Sequence, residues 1–165
     1  MRLSGRHFLL GIAGLAMSSL GCAEAPLPLG DAERSAIGDS ILALATSSDG
    51  AVDRLDCATG VEIFGDREPI FVGGGRVMRS RAELEPMCEQ MITGRTGATY
   101  ELTSSDVHVL SRDIAYLVRE GTYTIEYTES EPNINTLVIT GIWERGEAGW
   151  KRVHFHESWP EVSGG

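Results

Sequence analysis

The sequence predicts an α+β domain in which helices come first and a long antiparallel meander follows. Two observations carry this. Apolar residues recur at spacings of three and four in the segments around Ile37 and Met87, and from Thr99 onward the pattern turns into strand-like runs parted by short turns. A third adds the layering: the run from Leu137 to Trp143 is apolar on both of its faces, which implies a sheet covered on both sides. At 165 residues with 42% hydrophobic content, the chain suits one domain with an ordinary core. Its formal net charge of −10 argues against a nucleic-acid partner, because phosphate binding needs a basic surface that releases counterions.

The N-terminus reads as an export signal. Arg2, Arg6 and His7 precede FLLGIAGLAMSSLG, a run of apolar and small residues that ends at Cys22. That run is shorter than the about 20 apolar residues a membrane-spanning helix takes. Leu20-Gly21-Cys22 resembles the lipidation site of a bacterial lipoprotein, with Ser19 where leucine is usual, while Ala23 to Ala25 offers a plain small-residue cleavage site followed by Pro26. Both routes stay open here. The expected division is a signal peptide over 1–21, a tether over 22–30, the domain over 31–160 and a flexible tail over 161–165, the protein being exported and held to the membrane only through a lipid on Cys22. In such a compartment Cys57 and Cys88 either pair as a disulfide or sit as two buried thiols.

Asp31 is placed to cap a first helix carrying Ile37, Ile41 and Leu44 on one stripe, with Gly50 beyond its end. A short helical turn is expected over Val52 to Cys57, followed by brief strands at VEIF (Val61 to Phe64) and PIFV (Pro69 to Val72) around a Gly65-Asp66 turn. Gly73 to Gly75 reads as a turn rather than a phosphate loop, since no Lys-Ser or Lys-Thr pair follows. Ser80 and Glu83 form a capping box ahead of Leu84, Met87, Cys88, Met91 and Ile92, so a helix runs to about Thr93, with Pro86 expected to kink its first turn or delay its start. Four hairpin-connected strands complete the chain, the last being WKRVHFHES.

Helix, short helix, small hairpin, helix and then a bent meander ending in W-x-x-V-H-x-H-x-S resembles the NTF2-like superfamily and, within it, the SnoaL-like domains. DVHVLSRDIAYLVREGTY and GIWERGEAGWKRVHFHES, with their spacing, are similar to strands of the association domain of calcium/calmodulin-dependent kinase II. The resemblance implies a cone in which N-terminal helices pack on a strongly curved, mainly antiparallel sheet with an internal pocket, and it implies a homodimer. In the kinase hubs inward arginines from three strands make an anion pocket. Arg119 matches the first of these, in R-x-x-x-Y with Tyr123, whereas Gly141 and Glu157 stand at the second and third. The resemblance therefore implies one cation and one carboxylate at the pocket. Catalytic relatives use a pocket carboxylate as base, which makes Glu157 the first candidate and Asp66 the second.

Alternation along the last strand sends Val153, Phe155 and Glu157 to one face and Arg152, His154, His156 and Ser158 to the other, unless a β-bulge intervenes. The apolar pair should face the cavity. Glu157 then sits at the pocket mouth with Arg119 as its partner, and the histidines lie outside. Zinc needs three or four ligands, and His154 and His156 find no third, so no metal and no cofactor are expected. Expected ligand contacts are Arg119, Tyr123, Tyr116, Trp143 and Phe155. Three readings follow: a module binding a small, partly apolar molecule; an isomerase, cyclase or dehydratase using Glu157 or Asp66 as base; and a self-association domain. Binding ranks first because no nucleophile or acid/base pair stands out.

Overall fold

The computed structural model describes residues 28–65 and 69–158. The expected signal and lipidation segment with Cys22, most of the expected tether, Asp66 and the expected tail fall outside the described residues.

Helix α1 spans Asp31–Asp53 and buries Ile37, Ile41, Ala45, Ser48 and Ala51 along one stripe, as spacings of four and three require. Gly30, rather than Asp31, is the N-cap. The helix also continues through Gly50. Its stop comes at Leu55, which adopts a positive φ of 56°. The Leu55 N–H donates to Val52 O (2.8 Å) and the Asp56 N–H donates to Ala51 O (2.9 Å). These are the two bonds of a Schellman motif, here with leucine in the position glycine usually takes.

Asp56 then caps α2, Cys57–Glu62, its side chain accepting from the Thr59 N–H at 3.1 Å. The expected turn over Val52 to Cys57 is thus displaced, and Val61 and Glu62 are helical rather than extended. Phe64 alone makes a β-bridge, to Arg152. A four-residue apolar run is ambiguous between helix and strand, and the cap at Asp56 decides for helix.

Strands β1 (Ile70–Gly73) and β2 (Arg76–Met78) form a hairpin around Gly74 and Gly75, whose φ of 56° and 72° suit a two-residue turn. Helix α3 runs Arg81–Ile92 from its first turn despite Pro86. Ser80 Oγ accepts from the Glu83 N–H (3.3 Å), and Glu83 Oε2 accepts from the Arg79 N–H (2.9 Å).

Strands β3 (Arg95–Val109), β4 (Ile114–Tyr127), β5 (Asn133–Gly146) and β6 (Gly149–Ser158) form the meander. The six-stranded sheet has the order β2-β1-β6-β5-β4-β3, with β1 parallel to β6 and every other pair antiparallel. Register shifts at Arg95/Gly97, Leu102/Ser104 and Ile142/Trp143 bend it. At the second shift, Gly121 passes so close to Glu101 O and Leu102 Cα that a side chain there has no room.

α1 packs against β3, and the core fills the space between the helices and the concave face of the sheet around Ile41, Leu84, Leu117, Leu137 and Trp143. The convex face keeps Ile70, Ile134, Val138 and Ile142 exposed.

Candidate functional site in the cone

The site begins with a bulge in β6. Ile142 pairs with His154 and Trp143 with Arg152, which leaves Val153 without a partner. One extra residue reverses the alternation, so Arg152, only 5% exposed, joins Phe155 and Glu157 on the concave side. This corrects the expectation that Arg152 faces outward. Gly141, opposite Phe155 on β5, lies against Arg152: a Cβ there would be 3.4 Å from Trp143 Nε1 and 3.7 Å from Arg152 Nε, ordinary contact distances. The guanidinium carbon sits 4.4 Å from the Phe155 ring centroid, 4.9 Å from that of Trp143 and 5.4 Å from that of Phe64.

Register aligns Arg119 on β4, Ile139 on β5 and Glu157 on β6 in one inward row. At about 4.8 Å per strand, Arg119 and Glu157 stand roughly 10 Å apart across the sheet. Arg119 does not pair with Glu157. Its Nη1 donates to Asp49 Oδ2 at 2.6 Å and its Nε to Ser105 Oγ at 3.2 Å, so the partner is α1.

A cavity of about 110 Å³ lies in front of this row. Its polar lining consists of Glu157, Arg152, Arg95, Asp49 and the tyrosines Tyr100 and Tyr123, with Ser48 and Asp56. The two rings stack with centroids 4.6 Å apart, and Arg95 Nη1 donates to Tyr123 Oη at 3.0 Å. Its apolar lining comes from Phe71, Phe155 and Ile139 on the sheet, beside Glu157, and from Leu84, Met87, Met91 and Ile92 on α3. The Cys57–Cys88 disulfide ties α2 to α3 within this wall, its Cα atoms 5.7 Å apart.

Burial sets the electrostatics. Desolvation by the surrounding protein pushes the Glu157 carboxyl up to about 7, against the pull of Arg152 and Arg95. Burial lowers Arg152 to about 10. It raises Asp49 in spite of Arg119, and raises Tyr100 well above the usual phenol range, with Glu157 adding to the effect.

The model of the SnoaL-like domain family matches residues 41–161 of this sequence. The chain belongs to that family. No curated protein matches it significantly in sequence. Among solved structures it is similar to an NTF2-like superfamily protein from Salmonella enterica (19% identity, 79% of this chain and 95% of the other, TM-score 0.70). It is also similar to a candidate dehydratase of the NTF2-like family from Streptomyces avermitilis (16%, 78% and 99%, TM-score 0.70). A third is a hexachlorocyclohexane dehydrochlorinase from Novosphingobium barchaimii (16%, 79% and 91%, TM-score 0.69). At these identities the likeness establishes the fold.

In this SnoaL-like domain Phe155, Tyr123 and Glu157 line the cavity. Arg119 stands behind Asp49 and is not itself part of the wall, and Trp143 is fully buried in the core behind Arg152. Tyr116 is a plain correction: it lies on the convex side, stacked on His108 with centroids 4.5 Å apart, because β4 sends even-numbered residues outward there. His156 is exposed and His154 half-buried on that same side. Among the described residues no three His, Cys, Asp or Glu side chains converge on a metal position.

Arg152, Arg95 and Asp49 are the site residues that the sequence reading missed. Asp49 did carry a signal, standing four residues after Ala45 and eight after Ile41 on the apolar stripe of α1.

Proposed function

We propose that this SnoaL-like domain is an exported binding module that holds a small, partly apolar molecule in the cone cavity. The observation that carries the reading is the make-up of the cavity: apolar side chains of α3 and the sheet line it together with Glu157, Arg152, Arg95 and two tyrosines. Membrane attachment through Cys22 and assembly as a homodimer belong to the same proposal. The exposed Val138, Ile142 and Ile70 of the convex face supply apolar area suited to a second copy.

Phenol, neutral at pH 7 and close to the cavity in size, tests the site by ligand-observed NMR. It should bind the wild type, and Met87→Trp, which fills the wall, should weaken it by about tenfold or more without lowering the melting temperature. Equal binding by the two proteins would remove the cavity as the site.

A second reading, a proton-abstracting enzyme, is supported by Glu157, whose carboxyl near 7 suits a general base at neutral pH, with tyrosine hydroxyls beside it. On this reading the protein speeds deuterium entry next to the carbonyl of cyclohexanone in D2O. Glu157→Gln should abolish that exchange while phenol still binds, and exchange that survives the substitution would end the enzyme reading.

A further inference from the structure

The turn that joins β3 to β4 carries two large apolar side chains in water. Leu110 is 63% exposed and Ile114 43%, and the turn brings them together because the Leu110 and Ser111 N–H groups both donate to Ile114 O at 3.0 Å. Apolar residues exposed singly are ordinary, whereas turns are usually built from polar residues and glycine, so a tip with two of them marks a contact surface. The same tip is tied to the start of α1. Arg34 Nη1 donates to Val109 O at 2.8 Å, and Arg112 Nε lies 2.8 Å from Glu33 Oε1. We propose that this tip rests on the lipid bilayer that holds Cys22. The inference depends on the lipid anchor proposed above.

Chain length favours one orientation. Cys22 and Asp31 are 31 − 22 = 9 residues apart, a reach of at most about 30 Å for a fully extended chain. From Asp31, α1 runs for 23 residues, about 35 Å, away from that point. At its far end Asp53 accepts a hydrogen bond from the Tyr100 backbone, and Tyr100 aligns through Tyr123 with Asn135. The start of α1 with its docked tip is therefore the end nearest the anchor, and Ile134, 62% exposed, belongs to the opposite one. Asp49, Val52, Tyr100 and Tyr123 of the cavity lie towards that far end too, so this orientation turns the cavity to the aqueous compartment.

The contact is apolar rather than electrostatic. Glu33 pairs with Arg112 and Asp113 with Arg145, while Arg34 and Lys151 stand against Asp31, Glu144 and Glu147, so this end has no basic surplus to draw it to anionic headgroups. Trp150, half-buried with its ring centroid 5.5 Å from the Arg145 guanidinium, adds an aromatic ring of the kind that settles at a bilayer interface. Two aliphatic side chains hold a free domain on lipid only weakly. A tether that confines them near the surface raises their effective concentration and makes the second contact productive. A lipid surface is present wherever the anchor is, which favours it over a second copy of the chain.

Fluorescence quenching tests this on protein purified from membranes and placed in phosphatidylcholine vesicles, with and without bromine on the acyl chains near the glycerol. Leu110→Trp and Ile134→Trp each add an indole at an exposed position, at opposite ends of the molecule. Brominated lipid should remove about half or more of the emission added at position 110 and none of that added at 134. Combining Leu110→Trp with Ile114→Asp should relieve the quenching, and added salt should not. No quenching at 110, or equal quenching at both positions, would overturn the inference. Quenching that disappears as the protein-to-lipid ratio rises would assign the tip to a second copy and overturn it as well. Mass spectrometry separates the two readings. Lipid on Cys22 without quenching ends the tip assignment alone, and a Cys22 without lipid ends the anchor and the tip together.

Discussion

Replacing both bridged cysteines, Cys57→Ser with Cys88→Ser, should lower stability by roughly 4 kcal/mol and abolish binding of phenol. The magnitude comes from loop closure: a link across a sequence separation of 31 residues removes about that much chain entropy from the unfolded state. The loss of binding has a local cause. Leu84 is the one fully buried residue of α3, and the helix packs mainly on α2, to which the disulfide joins it. Yet α3 supplies Leu84, Met87, Met91 and Ile92 to the cavity wall. Without the crosslink little else holds α3 in place, and the cavity loses that wall before the sheet melts. Urea unfolding followed by circular dichroism, with phenol binding measured in parallel at low urea, checks both parts. A variant that binds normally at an unchanged midpoint would show that α3 is held by packing alone.

The fold was legible because its signals are local. Strand alternation from Thr99 onward, the S-x-x-E box at Ser80 and the stripe through Ile37 and Ile41 each depend on a few neighbouring residues, and the structure places strands and helices there. The errors fall where a distant contact or a single dihedral decides. Gly50 looked like a stop, but the helix ends where Leu55 turns into the left-handed region, and nothing in leucine's identity announces that.

The site shows the same division. Facing Phe155 and Glu157 inward needed only the apolar character of Phe155. Facing Arg152 inward needed the bulge at Val153, which is a property of the pairing between β5 and β6 and is invisible in β6 alone. Likewise Arg119 and Glu157 do share a face, but α1 lies close enough to bring Asp49 to the arginine first. Helix depth over a sheet is a packing quantity, with no counterpart in spacing along the chain.

Glu157→Gln should stabilise the protein at pH 8 by roughly 3 kcal/mol and raise its melting temperature by about 10 °C, while leaving both nearly unchanged at pH 4.5. The sign follows from where the proton is held. In the unfolded chain the carboxyl titrates near its ordinary 4.5, and in the folded protein near 7. Between those values the folded state binds more protons than the unfolded state, so stability falls as pH rises through the window, and the whole cost of a buried carboxylate is present above 7. Glutamine imitates the protonated form and carries no such cost. Asp49 and Asp53 are also raised by burial and contribute in the same direction, but they are common to both proteins and cancel in the difference. Thermal melts of wild type and variant at half-unit steps from pH 4.5 to 8 should therefore diverge through this range. A constant gap, or a variant less stable than wild type at pH 8, would mean that Arg152 and Arg95 already hold Glu157 ionised at no cost. In that case there is no strained carboxyl for a ligand to relieve. A gap that opens with pH identifies a residue kept at the expense of stability, which is the expected mark of a side chain retained for binding or chemistry rather than for the fold.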